Sequence, residues 1–382
     1  MQYDSRSKRL ALCSFLGQFT IAMINFGIIY FLRDRLSFTS SEIGIASSIY
    51  TFSYFVFCLV FASAARNWGL RFKSVLSVAG MALSVLFILI FPTRAVSYAG
   101  LFLYGMFMAF YWPNIEVWMT QGKEGRELSS TVSLFNFSWS FGAGFSTFIG
   151  GLLAGMDVSY PLAAAIAFFI AISAILLFSG NSGKAEEEKA EAVEDHSTPL
   201  RFFAWIGVAV MYSGYSLLIN IFPLYASAEL GFSESTTGTL LFFRGMSACA
   251  SFILLGRLSF WQFSRKTIIL SQCAFAFLVL LSGAIRSAYL FIPYFIAFGF
   301  VFSLCYDLSI FHGAAGASNR SIRMTIHEVL LTVGTIIGSL LGGIVYEYFS
   351  FMAILRIISF TALAIAAAET ASMLLIPGLD RR

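Results

Sequence analysis

Long apolar runs separated by short polar segments make up most of this chain. A run of about 20 apolar residues is long enough to cross the hydrocarbon core of a bilayer as an α-helix. The runs predict twelve such spans, at roughly 10–32, 41–64, 73–92, 96–119, 128–154, 159–179, 201–227, 234–257, 267–285, 288–311, 324–346 and 351–376. The expected fold class is therefore all-α and integral to the membrane, with the first span retained as a helix and not cleaved as a signal peptide.

A polar, glutamate-rich stretch separates the sixth span from the seventh. Such a stretch cannot bury apolar surface, so it predicts a linker at 180–200 between an N-terminal half, 1–179, and a C-terminal half, 201–382. With an even number of spans, both termini lie on one side of the membrane. That side carries 18 of the 24 basic residues and the opposite side carries four, so the positive-inside rule predicts cytoplasmic termini. The short loops favour a bacterial inner membrane.

Composition and motif content exclude several classes of protein. Hydrophobic residues make up 58% and charged residues 12% of the 382 positions, against about 25% charged in soluble domains. Twelve spans leave no room for a catalytic domain, and no H-E-x-x-H, G-x-S-x-G or G-x4-G-K-[ST] pattern occurs. The five cysteines lie in apolar runs without metal-ligand spacing, and the net charge of +4 is mild. We expect no enzyme activity, cofactor, metal site or nucleic-acid partner.

Two internal matches relate the halves of the chain. At an offset of 194, Leu36–Gly44 lies on Leu230–Gly238, and both segments begin L-x-F-[ST] and end in glycine. At an offset of 192, three glycines of the fifth span fall on three of the eleventh: Gly142, Gly150 and Gly151 on Gly334, Gly342 and Gly343. At these residues the chain resembles the major facilitator superfamily of secondary transporters. The resemblance implies two pseudo-symmetric halves of six helices that alternate access to a midplane site.

The loop after the second span resembles part of that family's signature, G-x-L-x-D-R-x-G-R-[KR]. Gly69, Arg71 and Lys73 match its glycine and basic positions, whereas Arg66 and Asn67 replace its acid and its arginine. The resemblance therefore does not carry over the charge relay attributed to this motif.

Ionisable residues inside spans are functional candidates, because each costs at least about 2.5 kcal/mol at membrane depth. On the eleventh span Glu328 and Thr332 belong to a polar stripe at helical spacing, and Asn136 lies on the equivalent stripe of the fifth. The stripes indicate either a shared water-accessible cavity or hydrogen bonds between helices. The candidates for proton coupling or a gate are Glu116, Asp307, His327 and Glu328. Each has an alternative to a role in transport. The acids on even-numbered spans can extend toward the lipid headgroups, and the histidine can pack between helices.

Arg244 lies near the middle of the eighth span, where Tyr50 occupies the repeat-related place in the second. A guanidinium at this depth needs an acidic partner, such as Glu328 or Asp307, or an anionic ligand. The candidates for the substrate cavity are polar or aromatic residues of spans that line it in the family. They are Asn25, Tyr50, Tyr111, Trp112, Asn136, Asn220, Arg244, Tyr306 and Thr332.

The leading hypothesis is a monomeric secondary active transporter that moves a small organic solute by alternating access. The solute is anionic if Arg244 binds it, and the buried carboxyl groups favour the proton as the coupling ion. Two other hypotheses stay open: a multidrug or amphipathic-compound efflux transporter, and a transporter-like membrane receptor without transport. The expected partners are the small-molecule substrate, the proton and the lipid bilayer.

Overall fold

The computed structural model describes residues 4–65, 67–122, 125–179, 195–317 and 320–375. These residues form fourteen α-helices and no strand, which confirms the all-α membrane fold. The first seven are α1 (Ser5–Leu36), α2 (Ser40–Ala64), α3 (Leu70–Ile90), α4 (Arg94–Met108), α5 (Trp112–Thr120), α6 (Gly125–Met156) and α7 (Tyr160–Leu177). The other seven are α8 (Leu200–Asn220), α9 (Phe222–Ala228), α10 (Glu234–Leu255), α11 (Arg265–Ser282), α12 (Ala288–Ala314), α13 (Arg320–Tyr348) and α14 (Phe351–Leu375).

The helices match the predicted spans. Among the described residues, eleven helical segments are long and apolar enough to cross a membrane, counting α4 with α5 and α8 with α9 as one segment each. α6 occupies the remaining predicted span, 128–154. Helix therefore covers all twelve positions at which the apolar runs predict a crossing.

The fourth and seventh spans are each broken into two helices, which the apolar runs did not predict. Proline explains both breaks, because it has no backbone N–H to donate and its ring clashes with the preceding turn. Pro113 is the second residue of α5, and Pro223 is the second residue of α9. At the first break the side-chain amide of Asn114 donates to the carbonyl of Phe110. The side-chain amide thus donates the hydrogen bond that this backbone carbonyl would otherwise lack where the helix is interrupted.

The chain divides into two compact units. The first contains the described residues of 1–188 together with Ser233–Gly245, and the second contains those of 189–232 and 246–382. In the first unit α1 packs along α6 and α7, and in the second α8 packs along α13. The predicted domain boundaries stay a prediction, because residues 180–194 of the linker lie outside the described part of the chain.

One pair of matched hydrogen bonds reproduces the sequence repeat. In the first unit the hydroxyl of Ser53 donates to the carbonyl of Phe102 at 2.7 Å. In the second unit Ser247, 194 residues later, donates to the carbonyl of Ile296 at 2.6 Å. The acceptors are also 194 residues apart, so the same contact between two helices is present in each unit.

A matched pair of glycine contacts repeats in the same way. A Cβ atom on Gly142 of α6 would lie 2.5 Å from the carbonyl oxygen of Phe15 in α1. A Cβ atom on Gly334 of α13 would lie 2.4 Å from the carbonyl oxygen of Ala209 in α8. Glycine is therefore needed at both positions for these helices to approach so closely.

The loop that resembles the family signature joins α2 to α3. Gly69 immediately precedes α3, and Arg71 donates a hydrogen bond to the carbonyl of Leu177 at the end of α7. Arg66, which replaces the acid of the signature, lies outside the described residues. The basic end of the signature is thus used in a helix-end contact inside the first unit.

Candidate translocation surfaces

α6 is packed on two of its faces within the first unit. Gly142 and Ser146 face α1, where the hydroxyl of Ser146 donates to the carbonyl of Phe19 at 2.5 Å. Gly144 and Gly151 face the first half of α10 instead. α1 and α10 thus cover opposite faces of α6. Two further faces, here called the flanks of α6, lie between the two covered ones.

The two flanks differ in chemistry. One carries four phenylalanines at helical spacing, Phe137, Phe141, Phe145 and Phe148. Phe137 and Phe141 are 46% and 36% exposed, as expected of side chains that contact lipid. The other flank carries polar side chains, Asn136, Ser140 and Thr147. Because polar groups facing lipid are costly, the polar flank marks the side of α6 directed away from the bilayer.

Arg244 lies on the polar side of the α6–α10 pair. Successive residues of a helix are about 100° apart around its axis. Seen from Gly245, Arg244 therefore lies about 100° around α10 in one direction, and Phe242 lies about 60° around it in the other. Gly245 packs on α6, and Phe242 contacts the phenylalanine flank, with its ring 5.7 Å from that of Phe148. Arg244 is 5% exposed. The structure therefore places a buried guanidinium on the flank that carries Asn136.

Two aromatic candidates of the first unit, Tyr111 and Trp112, have different surroundings. Tyr111 is fully buried; its hydroxyl donates to the carbonyl of Cys13 at 2.6 Å, and its ring fills the space beside Gly17. Trp112 is half-buried, and its ring stands edge-on to that of Phe135 at 6.2 Å. Of the two, Trp112 is the side chain that retains an open surface.

The other first-unit candidates are dispersed. Tyr50 is buried and edge-on to Tyr104 at 6.2 Å, Asn25 is half-buried in α1, and Glu116 is exposed on α5. Asn136 is exposed, and its side-chain carbonyl accepts a hydrogen bond from the indole of Trp139 at 3.2 Å. The roles assigned to these residues stay predictions.

An aromatic surface in the second unit contains one residue predicted from the sequence and three that were not predicted. Tyr212 and Tyr215 of α8 and Phe302 and Tyr306 of α12 contact one another, with Tyr215 and Phe302 ring centroids 4.8 Å apart. Tyr212, Tyr215 and Tyr306 are half-buried. Spacings of three and four residues placed each pair on one helix face, which was the available signal.

His327 of α13 lies beside this surface, and Asp307 directly follows Tyr306 in α12. The His327 ring is buried, edge-on to Tyr306 at 5.0 Å, and its Nδ1 is 2.8 Å from the hydroxyl of Ser309. Asp307 is half-buried on α12. The structure thus brings Tyr306, Asp307 and His327 into one region of the second unit, as helices α12 and α13 meet.

The polar stripe of α13 divides into two ends. At one end the Ser339 hydroxyl is 2.6 Å from that of Ser216 and accepts from the amide of Asn220 at 2.8 Å. Hydrogen bonds between α8 and α13 therefore account for this end of the stripe. At the other end Glu328 is exposed, and the hydroxyl of Thr332 donates to its backbone carbonyl at 2.9 Å.

Comparison with known proteins agrees with this architecture. The sequence profile of the Major Facilitator Superfamily matches residues 10–312. The chain belongs to this superfamily. The resemblance in the repeated segments is thereby confirmed, and membership in the Major Facilitator Superfamily makes the protein an integral membrane transporter of small molecules.

The proteins similar to this chain are named for different substrates. Multidrug resistance protein 2 of Bacillus subtilis (strain 168) is 23% identical over 308 residues, which cover 76% of this chain and 77% of that protein. The crystal structure of the nucleoside transporter NupG superposes with a TM-score of 0.73 at 13% identity, covering 96% of this chain and 99% of that one. The crystal structure of a point mutant of the same transporter gives a TM-score of 0.69 over the same shares. The structural likeness shows the fold alone.

Proposed function

We propose that the protein is a proton-coupled secondary active transporter whose substrate is a small organic solute with an anionic group. The observation that carries the proposal is the burial of Arg244 on the polar flank of the α6–α10 pair. A guanidinium presents a planar fork of donors that matches carboxylate and phosphate, so its position on a polar flank suits a solute with such an anionic group. Transport proceeds by alternating access of the two halves to the membrane surfaces.

The aromatic surface of the second unit supports a second feature of the substrate. Tyr212, Tyr215 and Tyr306 are half-buried, so their rings remain open on one side. Aromatic side chains bind flat apolar groups through large contact areas, and tyrosine adds a polar hydroxyl at the edge. We therefore propose a solute that joins an anionic group to a ring or another apolar body.

A multidrug or amphipathic-compound efflux transporter is the second candidate. The observation that favours it is the half-buried aromatic surface itself, since tyrosine rings bind cationic amphipaths through their faces. A receptor without transport is distinguished from both by flux, because only a transporter moves labelled solute into proteoliposomes.

Substitution of Arg244 tests the proposal once a thermal-shift screen of metabolites has found a ligand. Arg244→Lys should weaken binding at least about tenfold, because an ammonium cannot reproduce the two-pronged contact. Arg356→Gln, which removes an exposed arginine from α14, is the matched control and should leave affinity unchanged. Full affinity of Arg244→Gln for an anionic ligand would exclude the anion site.

A structural ion pair predicts a different outcome for the same residue. If Arg244 instead neutralises Glu328 or Asp307, Arg244→Gln should lower the melting temperature while any remaining folded protein binds normally. Removing the acid as well, in Arg244→Gln combined with Glu328→Gln or Asp307→Asn, should then restore much of the stability. Affinity and melting temperature therefore separate the two roles.

We also propose that the protein resides in a bacterial inner membrane with both termini cytoplasmic, on the strength of the basic-residue distribution. Single cysteines at Asn67 and Ser350, both exposed, test the orientation in a cysteine-free background. A membrane-impermeant maleimide added to intact cells should label Ser350→Cys and leave Asn67→Cys unlabelled. The reverse pattern would invert the topology.

A further inference from the structure

A carboxyl group is buried among helices of the second unit, away from the translocation surfaces. Glu369 of α14 is 5% exposed, and its Oε2 accepts a hydrogen bond from the Nε2 of Gln272 in α11 at 2.8 Å. Gln272 is itself 5% exposed, and its Nε2 also lies 3.5 Å from the carbonyl oxygen of Phe203 in α8. One acid and one amide therefore form a buried polar pair where three helices meet.

The pair leaves two acceptor atoms without a donor. Glu369 Oε1 and Gln272 Oε1 are both buried and accept no hydrogen bond from the described residues. The space beside Gln272, lined by Gly207 and Phe275, does not admit a water molecule. Buried oxygens are normally hydrogen-bonded, and no described protein donor supplies the bond to either of these two.

Charge compensation is also missing at this site. Among the described residues, Gln272 is the polar side chain that contacts the Glu369 carboxyl. The Arg265 guanidinium reaches α14 at the backbone carbonyl of Met373, one turn beyond Glu369. Cys305 of α12, beside Gln272, is the titratable group on the neighbouring wall. A carboxylate here would be a buried anion without a cation, which is strongly unfavourable.

We propose that Glu369 and Gln272 form a proton-binding site in which the carboxyl is held neutral. A carboxylic acid has the one O–H donor that the two orphaned oxygens lack, and it pairs with an amide through reciprocal hydrogen bonds. The proton thus completes the pair and removes the buried charge in one step. The proposal is independent of the substrate and of the coupling ion proposed above.

The site joins α8 to two helices that lie outside the translocation surfaces. A Cβ atom on Gly207 would stand 2.7 Å from Gln272 Nε2, so α8 is in direct contact with the pair. Five residues further along the same helix, Tyr212 belongs to the aromatic surface. The bound proton therefore stabilises the packing of α11 and α14 against the helix that carries this surface.

Infrared difference spectroscopy of the full-length protein in lipid nanodiscs at neutral pH tests the protonation state. The spectrum of the wild type minus Glu369→Gln should contain the C=O stretch of a protonated carboxylic acid. The control difference with Glu229→Gln, which removes an exposed acid, should contain carboxylate bands instead. Carboxylate bands in the Glu369→Gln difference would overturn the proposal.

Melting temperatures of the same preparations give a second test. Glu369→Gln should fold and melt near the wild type, because two amides can also pair reciprocally and no charge has been lost. Glu369→Leu should melt lower by about 5 °C, because it leaves the Gln272 amide buried without a partner. Failure of Glu369→Gln to fold, or a loss equal to that of Glu369→Leu, would mean that an ionised carboxylate is required and would refute the site.

Discussion

Gly144 of α6 and Gly245 of α10 are in backbone contact: a Cβ atom on Gly245 would stand 2.3 Å from the Cα of Gly144. A second contact follows two turns away, where a Cβ atom on Gly151 would lie 2.9 Å from the Cα of Gly238. The two helices therefore pack without intervening side chains along this line. The contact fixes the flank on which Arg244 lies, because that residue directly precedes Gly245.

Gly245→Ala should destabilise the protein by about 1–3 kcal/mol, since the added methyl group meets backbone that cannot rotate away. The measurement is the melting temperature of the purified protein. Gly69→Ala is the matched control, because a Cβ atom there meets no atom within 4 Å. Equal melting temperatures for the two variants would contradict the close contact of α6 and α10.

Arg33 and Glu234 should hold the start of α10 against the end of α1. Their Nη2 and Oε1 atoms are 3.2 Å apart, and both side chains are only about one quarter exposed. Glu234→Gln should therefore raise the reactivity of a cysteine at Ser235, whose hydroxyl now donates to the Gly151 carbonyl at 3.2 Å. The pair itself should contribute no more than about 1 kcal/mol to stability.

The control for this experiment removes a neighbouring arginine. Arg35 lies on the same end of α1 but pairs with Asp157, at 2.6 Å, and not with α10. Arg35→Gln should therefore leave the reactivity of the cysteine at position 235 unchanged. Equal reactivity in the Glu234→Gln and Arg35→Gln backgrounds would show that the Arg33 pair does not hold α10.

Asp195 should stabilise the protein in a manner that depends on pH only in strong acid. Hydrogen bonds from the hydroxyl and backbone N–H of Ser197, together with the Arg323 guanidinium, hold the Asp195 pKa at about 2. The usual pKa of aspartate is about 3.9, so the stabilisation is complete above that pH and is lost as pH falls toward 2. The melting-temperature difference between the wild type and Asp195→Asn should be constant from pH 5 to 8. A difference that varies in this window would contradict the assignment.

Glu328 is our proposed carrier of the coupling proton, with Asp307 as the alternative. Glu328→Gln should abolish uphill accumulation in proteoliposomes and spare solute exchange, because exchange needs no net proton movement. Glu347→Gln removes an exposed acid from the end of the same helix and should accumulate solute normally. If Asp307→Asn rather than Glu328→Gln loses accumulation, the proton is carried by α12.

The crossings of the membrane could be predicted from the sequence because an apolar run of sufficient length has few other stable states. The breaks before α5 and α9 could not, although Pro113 and Pro223 were visible. Transmembrane helices tolerate proline wherever another donor or acceptor substitutes, so the residue alone does not decide between a kink and a break.

Helical spacing could assign candidate residues to helix faces, but it could not identify their neighbours on other helices. Spacing placed Asn136 and Glu328 on polar faces, and both are exposed in the structure. Spacing did not reveal that the Tyr111 hydroxyl donates a hydrogen bond to a backbone carbonyl. It also did not reveal that Tyr212 contributes to an aromatic surface. It likewise gave no sign of the partner of Glu369, since Gln272 is 97 residues away in the chain. Such pairings depend on helix rotation and register, which single-sequence periodicity does not specify.

The paired serine contacts explain why the duplication is so faint in the amino-acid sequence. Ser53 and Ser247 both bond to a main-chain oxygen, and the residues that supply that oxygen are a phenylalanine in one copy and an isoleucine in the other. A main-chain acceptor is present whatever side chain is attached, so only the donor has to be retained. Each copy could therefore exchange most of its side chains while keeping the contacts between its helices, because those contacts need only a serine donor or a glycine at matched positions.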